Sequence, residues 1–314
     1  MNKYVFSGHE SFPCKTLWLK KGYDFVVQGK NFNNPDAVID LGVGKNMVAS
    51  IRYWLRVFGV CDGDQPTWLG NYLFNEVDGK DKYMEDLATL WLLHFNLVFN
   101  GEATLYNMFF CGFQQAYPQF EREQVLSHVK LKMAEAGKSN LFNDNTVKKD
   151  IGVLLLNYVL PRKPQSNEDF SSLLIDLDII RQNTERKGYF FNGEGKREVT
   201  KEIFLYGLLR LKEQSGDSSI PYETIQERVG STFCMNDGET IDMLKANKIS
   251  ENENVLLVVS VKDELVVRAT NNVANLKAVR PTYLNVFDIM NADKIVITEK
   301  ALPMIKDWLL GEEK

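Results

Sequence analysis

Histidine and cysteine are scarce in this chain, and their scarcity removes several chemistries before any motif is sought. There are three histidines and four cysteines in 314 residues. No two cysteines form a Cys-x-x-Cys pair, so neither a zinc knuckle nor a dithiol redox motif is indicated. Free thiols in a reducing compartment are the simplest reading. An excess of positive charge is lacking too. The 37 Lys and Arg stand against 42 Asp and Glu, a net charge of −5. A generic polycation for nucleic acid is therefore excluded, and any DNA contact must come from local patches. No charged n-region followed by an apolar h-region opens the chain, and no apolar run is long enough to span a bilayer. A cytoplasmic protein is expected. Fixed-period repeats and low-complexity tracts are also missing.

What is present centres on residues 35–74. A short apolar segment, Pro35 to Leu41, meets a glycine turn, Gly42-Val43-Gly44. A longer amphipathic segment, Lys45 to Phe58, follows and stops at Gly59. A short hairpin over 60–67 comes next. That is the order of a helix-turn-helix with a wing. Met47, Val48, Ile51, Trp54, Leu55 and Phe58 recur at spacings of three and four and predict one buried stripe. Lys45, Asn46, Ala49, Ser50, Arg52, Tyr53 and Arg56 form the other face. Basic, amide and hydroxyl groups there suit phosphates and base edges. The plainer reading is an amphipathic helix of an interaction domain, since many winged helices bind only protein. Gly42-Val43-Gly44-Lys45 is not a phosphate loop: Ile39 stands where the first Walker glycine belongs, and Asn46 where Ser or Thr belongs. No nucleotide cofactor is indicated.

The charge is unevenly placed. Residues 1–60 hold eight Lys/Arg and four Asp/Glu, net +4, whereas residues 61–100 hold two and seven, net −5. Residues 121–163 return to net +3, with eight against five. Segments 121–136 and 145–158 read as two amphipathic helices, a second helix-turn-helix-like pair carrying Lys148 and Lys149. Segment 84–99 reads as a buried helix. Pro161 to Glu168 is the best linker candidate. Val255–Val261 and Glu264–Arg268, either side of Lys262-Asp263, read as a hairpin. The expected fold is mainly α with small β-hairpins, as winged-helix or helix-turn-helix-like units packed on a helical core. The expected domains are 1–75 (winged helix-turn-helix), 76–163 (helical) and 164–314 (α+β, winged-helix-like).

Candidate chemistry is sparse. His9-Glu10 lacks the second histidine of a zinc-protease motif, since Pro13 occupies that place. The pair can be read as an acid/base or metal-assisted group, or as a polar cluster that fixes the N-terminal segment to the core. His94 lies in an apolar helix and reads as a hydrogen-bonded core histidine. Lys15, Lys20 and Lys21 add charge near the first helix-turn-helix and would supply salt-sensitive phosphate contacts, or simply form a solvated face.

Several stretches together resemble a known bacterial family. They are Phe6-Ser7-Gly8-His9-Glu10-Ser11-Phe12, Trp18 to Asp24, Leu41 to Val48 and Ile51 to Leu55. Asp86 to His94, Asn145 to Asp150, Ile180-Arg181 and Tyr189-Phe190-Phe191 extend the likeness over nearly the whole chain. The family is of formally uncharacterised function and is encoded in phage-defence islands. It looks like the B component, a DNA-nicking protein, of single-strand phosphorothioation (Ssp) systems. The resemblance implies binding to double-stranded DNA and cutting of one strand so that sulfur can be installed; a divalent metal, Mg or Mn, or a His/Glu pair would assist attack on phosphate. It also implies partners: sulfate-reductase-like sulfur-transfer proteins and an ATPase of the same system. Lys15 departs from the family pattern, where an arginine often follows the cysteine; the charge is kept and the bidentate fork is lost. On this reading Lys15, Lys20, Lys21, Lys45, Asn46, Ser50, Arg52, Arg56, Lys148 and Lys149 face DNA, and His9 and Glu10 are the candidate catalytic pair. A DNA-binding adaptor or transcriptional regulator, and a protein-binding scaffold, are the competing classes.

Overall fold

A computed structural model describes residues 4–160, 171–183, 187–193, 198–216, 219–247, 255–261, 270 and 276–310. The chain divides into two compact units. The first comprises Met1–Ile203 and Gln226–Asp237, the second Phe204–Ile225 and Gly238–Lys314. Residues 1–75 and 76–163 thus fall inside the first unit, and 164–314 is shared between the two. The architecture is mainly α-helical with sheets of two or three strands.

The first unit opens with an extended segment and then α1 (Trp18–Val27). Residues 14–16 stay out of the helix because their backbone is used elsewhere. The Thr16 N–H donates to Ser171 O at 2.7 Å, and the Leu173 N–H donates to Cys14 O at 2.9 Å. α2 (Ala37–Leu41) ends at Gly42, whose φ of 60° is the left-handed conformation that glycine adopts without cost. α3 (Lys45–Val57) follows after Gly44. Its Ile51, Trp54 and Leu55 are fully buried. Gly22 sets the crossing of α1 on α3, since a Cβ there would lie 2.7 Å from both Ile51 Cγ2 and Leu55 Cδ1.

β1 (Cys61–Asp62) and β2 (Gln65–Pro66) pair as a small antiparallel hairpin. α4 (Trp68–Phe74) is capped by Thr67, whose Oγ1 accepts the Gly70 N–H at 3.1 Å. α5 (Leu87–Phe99) is buried on all sides from Thr89 onward, as its mostly apolar sequence requires. α6 (Thr104–Met108) runs into a π turn, Phe109–Phe113. β3 (Gln119–Phe120), α7 (Arg122–Glu135), α8 (Asp144–Tyr158), β4 (Ile180–Gln182) and β5 (Tyr189–Phe191) complete this part. The three strands form an antiparallel sheet in the order β3-β5-β4.

α9 (Lys201–Ser215), α10 (Tyr222–Ile225) and α11 (Asp237–Ala246) precede the last sheet. That sheet corrects one sequence expectation. β6 (Val255–Val258) pairs in parallel with both β7 (Leu276–Val279) and β8 (Lys294–Ile297). Both edges of β6 are thereby occupied, so its ladder is not that of a hairpin. The expected second arm, Glu264–Arg268, lies outside the described residues, as does the linker candidate over 161–168. α12 (Val286–Asn291) connects β7 to β8, and α13 (Ala301–Leu310) follows. Leu256, Val258, Val279 and Ala301 form the core here.

His94 is the polar centre of the first unit's core. Its Nε2–H donates to Thr232 O at 2.7 Å, and its Nδ1 accepts the Tyr158 hydroxyl at 2.7 Å. Burial lowers its pKa from 6.5 to about 4. Between these values the unfolded chain binds a proton that the folded one refuses, so stability rises with pH across that window. The contribution is complete above pH 6.5 and is lost as the pH falls towards 4, by roughly 3 kcal/mol. Urea unfolding of wild type and His94→Gln at several pH values between 4.5 and 7.5 checks this. The pH slope of the variant should be shallower, and parallel slopes would refute the assignment.

Candidate nucleic-acid interface

The exposed face of α3 is narrower than the sequence suggested. Lys45, Asn46, Ala49 and Arg56 are exposed and Arg52 is half-buried. The helix is introduced by the turn at Gly42–Gly44, and its Val48 and Ile51 turn inward. Ser50 does not face solvent: it is fully buried, because the inward arc of α3 also takes in Tyr53 and Val57. Lys20 is likewise withdrawn. It is buried, with its Nζ 2.6 Å from both carboxylate oxygens of Asp24 and 3.6 Å from Glu76. An i,i+4 ion pair on α1 explains this.

Other basic residues are tied inside the fold. Arg52 donates to Asp64 through Nε at 2.8 Å and Nη2 at 2.7 Å, and through Nη1 to Asn33 Oδ1 at 3.1 Å. This bidentate clamp fixes the hairpin against α3. Lys21 donates to Leu41 O at 2.9 Å and so caps α2. Lys15 is half-buried and its backbone bridges to Ser172. Arg56 lies 3.5 Å from Glu102 and 5.8 Å from the centre of the Tyr53 ring, but nearly half of its side chain remains exposed. Lys148 and Lys149 are exposed on the first half of α8.

His9 and Glu10 do not converge. His9 is buried, and its Nε2 lies 3.0 Å from Asp150 Oδ1. Its Nδ1 accepts the Ser11 N–H at 3.1 Å, so Nδ1 is bare and Nε2 carries the hydrogen. Both ring nitrogens are engaged, and the ring stacks on Trp54 and stands edge-on to Tyr53. Glu10 is exposed. The other Asp150 oxygen accepts the Ser7 N–H at 2.8 Å. Asp150 is the residue that sequence reasoning passed over; a lone aspartate amid lysines on an amphipathic helix carried no signal of its partner 141 positions away.

The backbone here is unusual. Ser7, Gly8, Glu10 and Ser11 all have positive φ, and Gly8 lies directly on the Tyr53 ring. The loop thus touches α3 through Gly8 and α8 through Asp150. Among the described residues no group of three or more His, Cys, Asp or Glu could hold a metal ion. The Asp150 carboxylate is already satisfied by two donors, so these residues do not fit a resident divalent ion.

Comparison with known proteins bears on the fold. A family model described as protein of unknown function (DUF4007) matches residues 6–283. A magnesium ion-bound SspB crystal structure superposes with a TM-score of 0.67 at 23% identity, over 80% of this chain and 79% of that one. A second SspB crystal structure gives 0.64 at 24% identity over the same shares. Local matches occur to the large ribosomal subunit protein uL4. That of Mycoplasma capricolum is 38% identical over 69 residues, 22% of this chain and 33% of that protein. That of Prochlorococcus marinus is 35% identical over 69 residues, with the same shares. The chain therefore spans about a third of the length of these curated relatives, too little to carry over their function.

Asp150→Ala leaves the His9 N–H and the Ser7 N–H without their acceptor and should destabilise the protein by about 3 kcal/mol. Glu10→Ala, at an exposed site, should stay within about 0.5 kcal/mol of wild type. Denaturant midpoints of the two variants check the contrast, and equal effects would contradict the buried tie.

Proposed function

The chain belongs to the DUF4007 family, and from that premise and its SspB-like fold we propose that it is a DNA-binding component of a bacterial DNA phosphorothioation system. One observation carries the proposal. In a chain with net charge −5, α3 keeps Lys45, Asn46 and Arg56 exposed on one face, behind a glycine turn and beside a hairpin. A winged helix-turn-helix presents its second helix to DNA in this way. Lys45 at the first turn of α3 and Arg56 at its last would contact phosphates, and Asn46 a phosphate or base edge. Lys148 and Lys149 on α8 would add phosphate contacts, since the Ser7–Ser11 loop ties α8 and α3 to one another. Sulfur-transfer and ATPase proteins of such a system would be its partners.

The proposal stops at binding. Strand cleavage would need a base or a metal-bound water at the scissile phosphate, and His9 offers neither nitrogen to solvent. The magnesium of the SspB crystal structure belongs to that protein. A DNA-binding adaptor is the alternative reading of the same interface.

Binding of a labelled DNA duplex, followed by fluorescence anisotropy across salt concentrations, tests the proposal. Wild-type affinity should fall steeply with salt. Lys45→Ala with Arg56→Ala should weaken binding about tenfold and lower the salt slope by about 2. Affinity that is flat in salt, or unchanged in this double variant, would sink the assignment of α3.

A further inference from the structure

The first unit carries a second surface of the opposite sign. α4 exposes Trp68 (52%) and Tyr72 (43%), whose rings stack at 5.1 Å with an interplanar angle of 20°. The turn that leaves α4 exposes Val77 (93%). Large apolar groups this open, close together on one element, mark contact sites more often than chance exposure does.

The display is built rather than loose. Asn75 Oδ1 accepts the Val77 N–H at 2.9 Å and the Asp78 N–H at 3.4 Å. The Gly79 N–H donates to Asn75 O at 3.0 Å, and a Cβ on Gly79 would collide with the Asn75 backbone. The Lys80 N–H returns to Tyr72 O at 2.9 Å and the Asp81 N–H to Leu73 O at 3.2 Å. These bonds fold the turn back onto the end of α4, beside the stacked rings. A surface ordered in advance loses less entropy on binding.

Its charge identifies the occupant. Residues 62–86 contain seven acids (Asp62, Asp64, Glu76, Asp78, Asp81, Glu85 and Asp86) and two lysines, net −5. Glu76 is 84% exposed at the side chain, with Lys20 Nζ and Lys82 Nζ 3.6 and 3.9 Å from its two oxygens, and Asp78 beside it is exposed. Such a field repels nucleic-acid phosphates within about 10 Å. It equally opposes symmetric docking of a second copy, which would set these acids against themselves. A basic partner satisfies both parts of the surface, because Arg or Lys pairs with the acids and also lies favourably over Trp and Tyr faces.

We propose that Trp68, Tyr72, Val77, Glu76 and Asp78 form a docking surface for a basic, partly apolar segment of a partner protein, separate from the α3 face that meets DNA. The DNA reading and this one stand independently. The test uses the full chain and a fluorescein-labelled peptide of alternating Arg and Leu, with a Glu/Leu peptide and a DNA duplex as further probes. Wild type should bind the Arg/Leu peptide, more weakly at high salt, and ignore the Glu/Leu peptide. Trp68→Ala with Tyr72→Ala, and separately Glu76→Lys with Asp78→Lys, should each weaken peptide binding about tenfold or more. Duplex binding should be unchanged by the first pair. Circular dichroism establishes that both variants are folded. No binding of the Arg/Leu peptide, or equal binding by the charge-reversed variant, overturns the proposal. Loss of duplex binding in Trp68→Ala/Tyr72→Ala would make this a nucleic-acid face instead. A concentration-dependent dimer of wild type, abolished by the same variant in sedimentation, would make the occupant a second copy. Either result overturns it.

Discussion

A carboxylate withdrawn from water must be met by donors or it unfolds the site around it. Asp150 is met by two, the His9 Nε2–H and the Ser7 N–H, and neither is local in sequence. One turn pair further along the same buried side of α8, Asn157 Oδ1 accepts the Cys14 N–H at 2.9 Å, and its Nδ2 donates to the Tyr106 hydroxyl at 2.6 Å. α8 therefore holds residues 7–14 at two points. Between them the Trp54 indole of α3 donates to Phe12 O at 3.1 Å. The strained loop Ser7–Ser11, with its four positive φ values, is stable only because this frame determines it; each left-handed non-glycine residue costs about 1 kcal/mol or more. The loop in turn fixes how the basic ends of α3 and α8 are spaced. In this frame both ring nitrogens of His9 are engaged within the protein, one by Asp150 and one by the Ser11 N–H.

What was legible in the sequence divides along the range of the interactions. The α2-turn-α3-hairpin order could be read because its signals are local: glycines at 42, 44 and 59, and apolar residues at helical spacing. The burial of α5 followed from composition alone. Ser50 and Lys20 were misread for a different reason. A hydrophobic stripe underestimates the buried arc of a helix that is packed on more than one side, so a small hydroxyl residue at its margin goes inside. Lys20 had its warning four residues on, in Asp24, but an i,i+4 pair does not by itself say which side of the helix is covered. β6 carried a usable sign that was outweighed. Val255–Val258 is continuously apolar, as strands of parallel sheets are, while the Lys262-Asp263 turn signal pointed to a hairpin. The His9–Asp150 tie had no local signal at all.

Arg52 shows how the site trades contact for order. As a free guanidinium on the outer face of α3 it would be a strong phosphate ligand. In the structure its fork is spent on Asp64, and the remaining nitrogen on Asn33. The hairpin has only two residues in each strand, too few for an independently stable ladder, so its direction relative to α3 has to come from outside it. The clamp supplies that direction. It also sets one base of α3 against one acid of the 62–86 stretch, so that the side of the helix next to the hairpin is locally neutral.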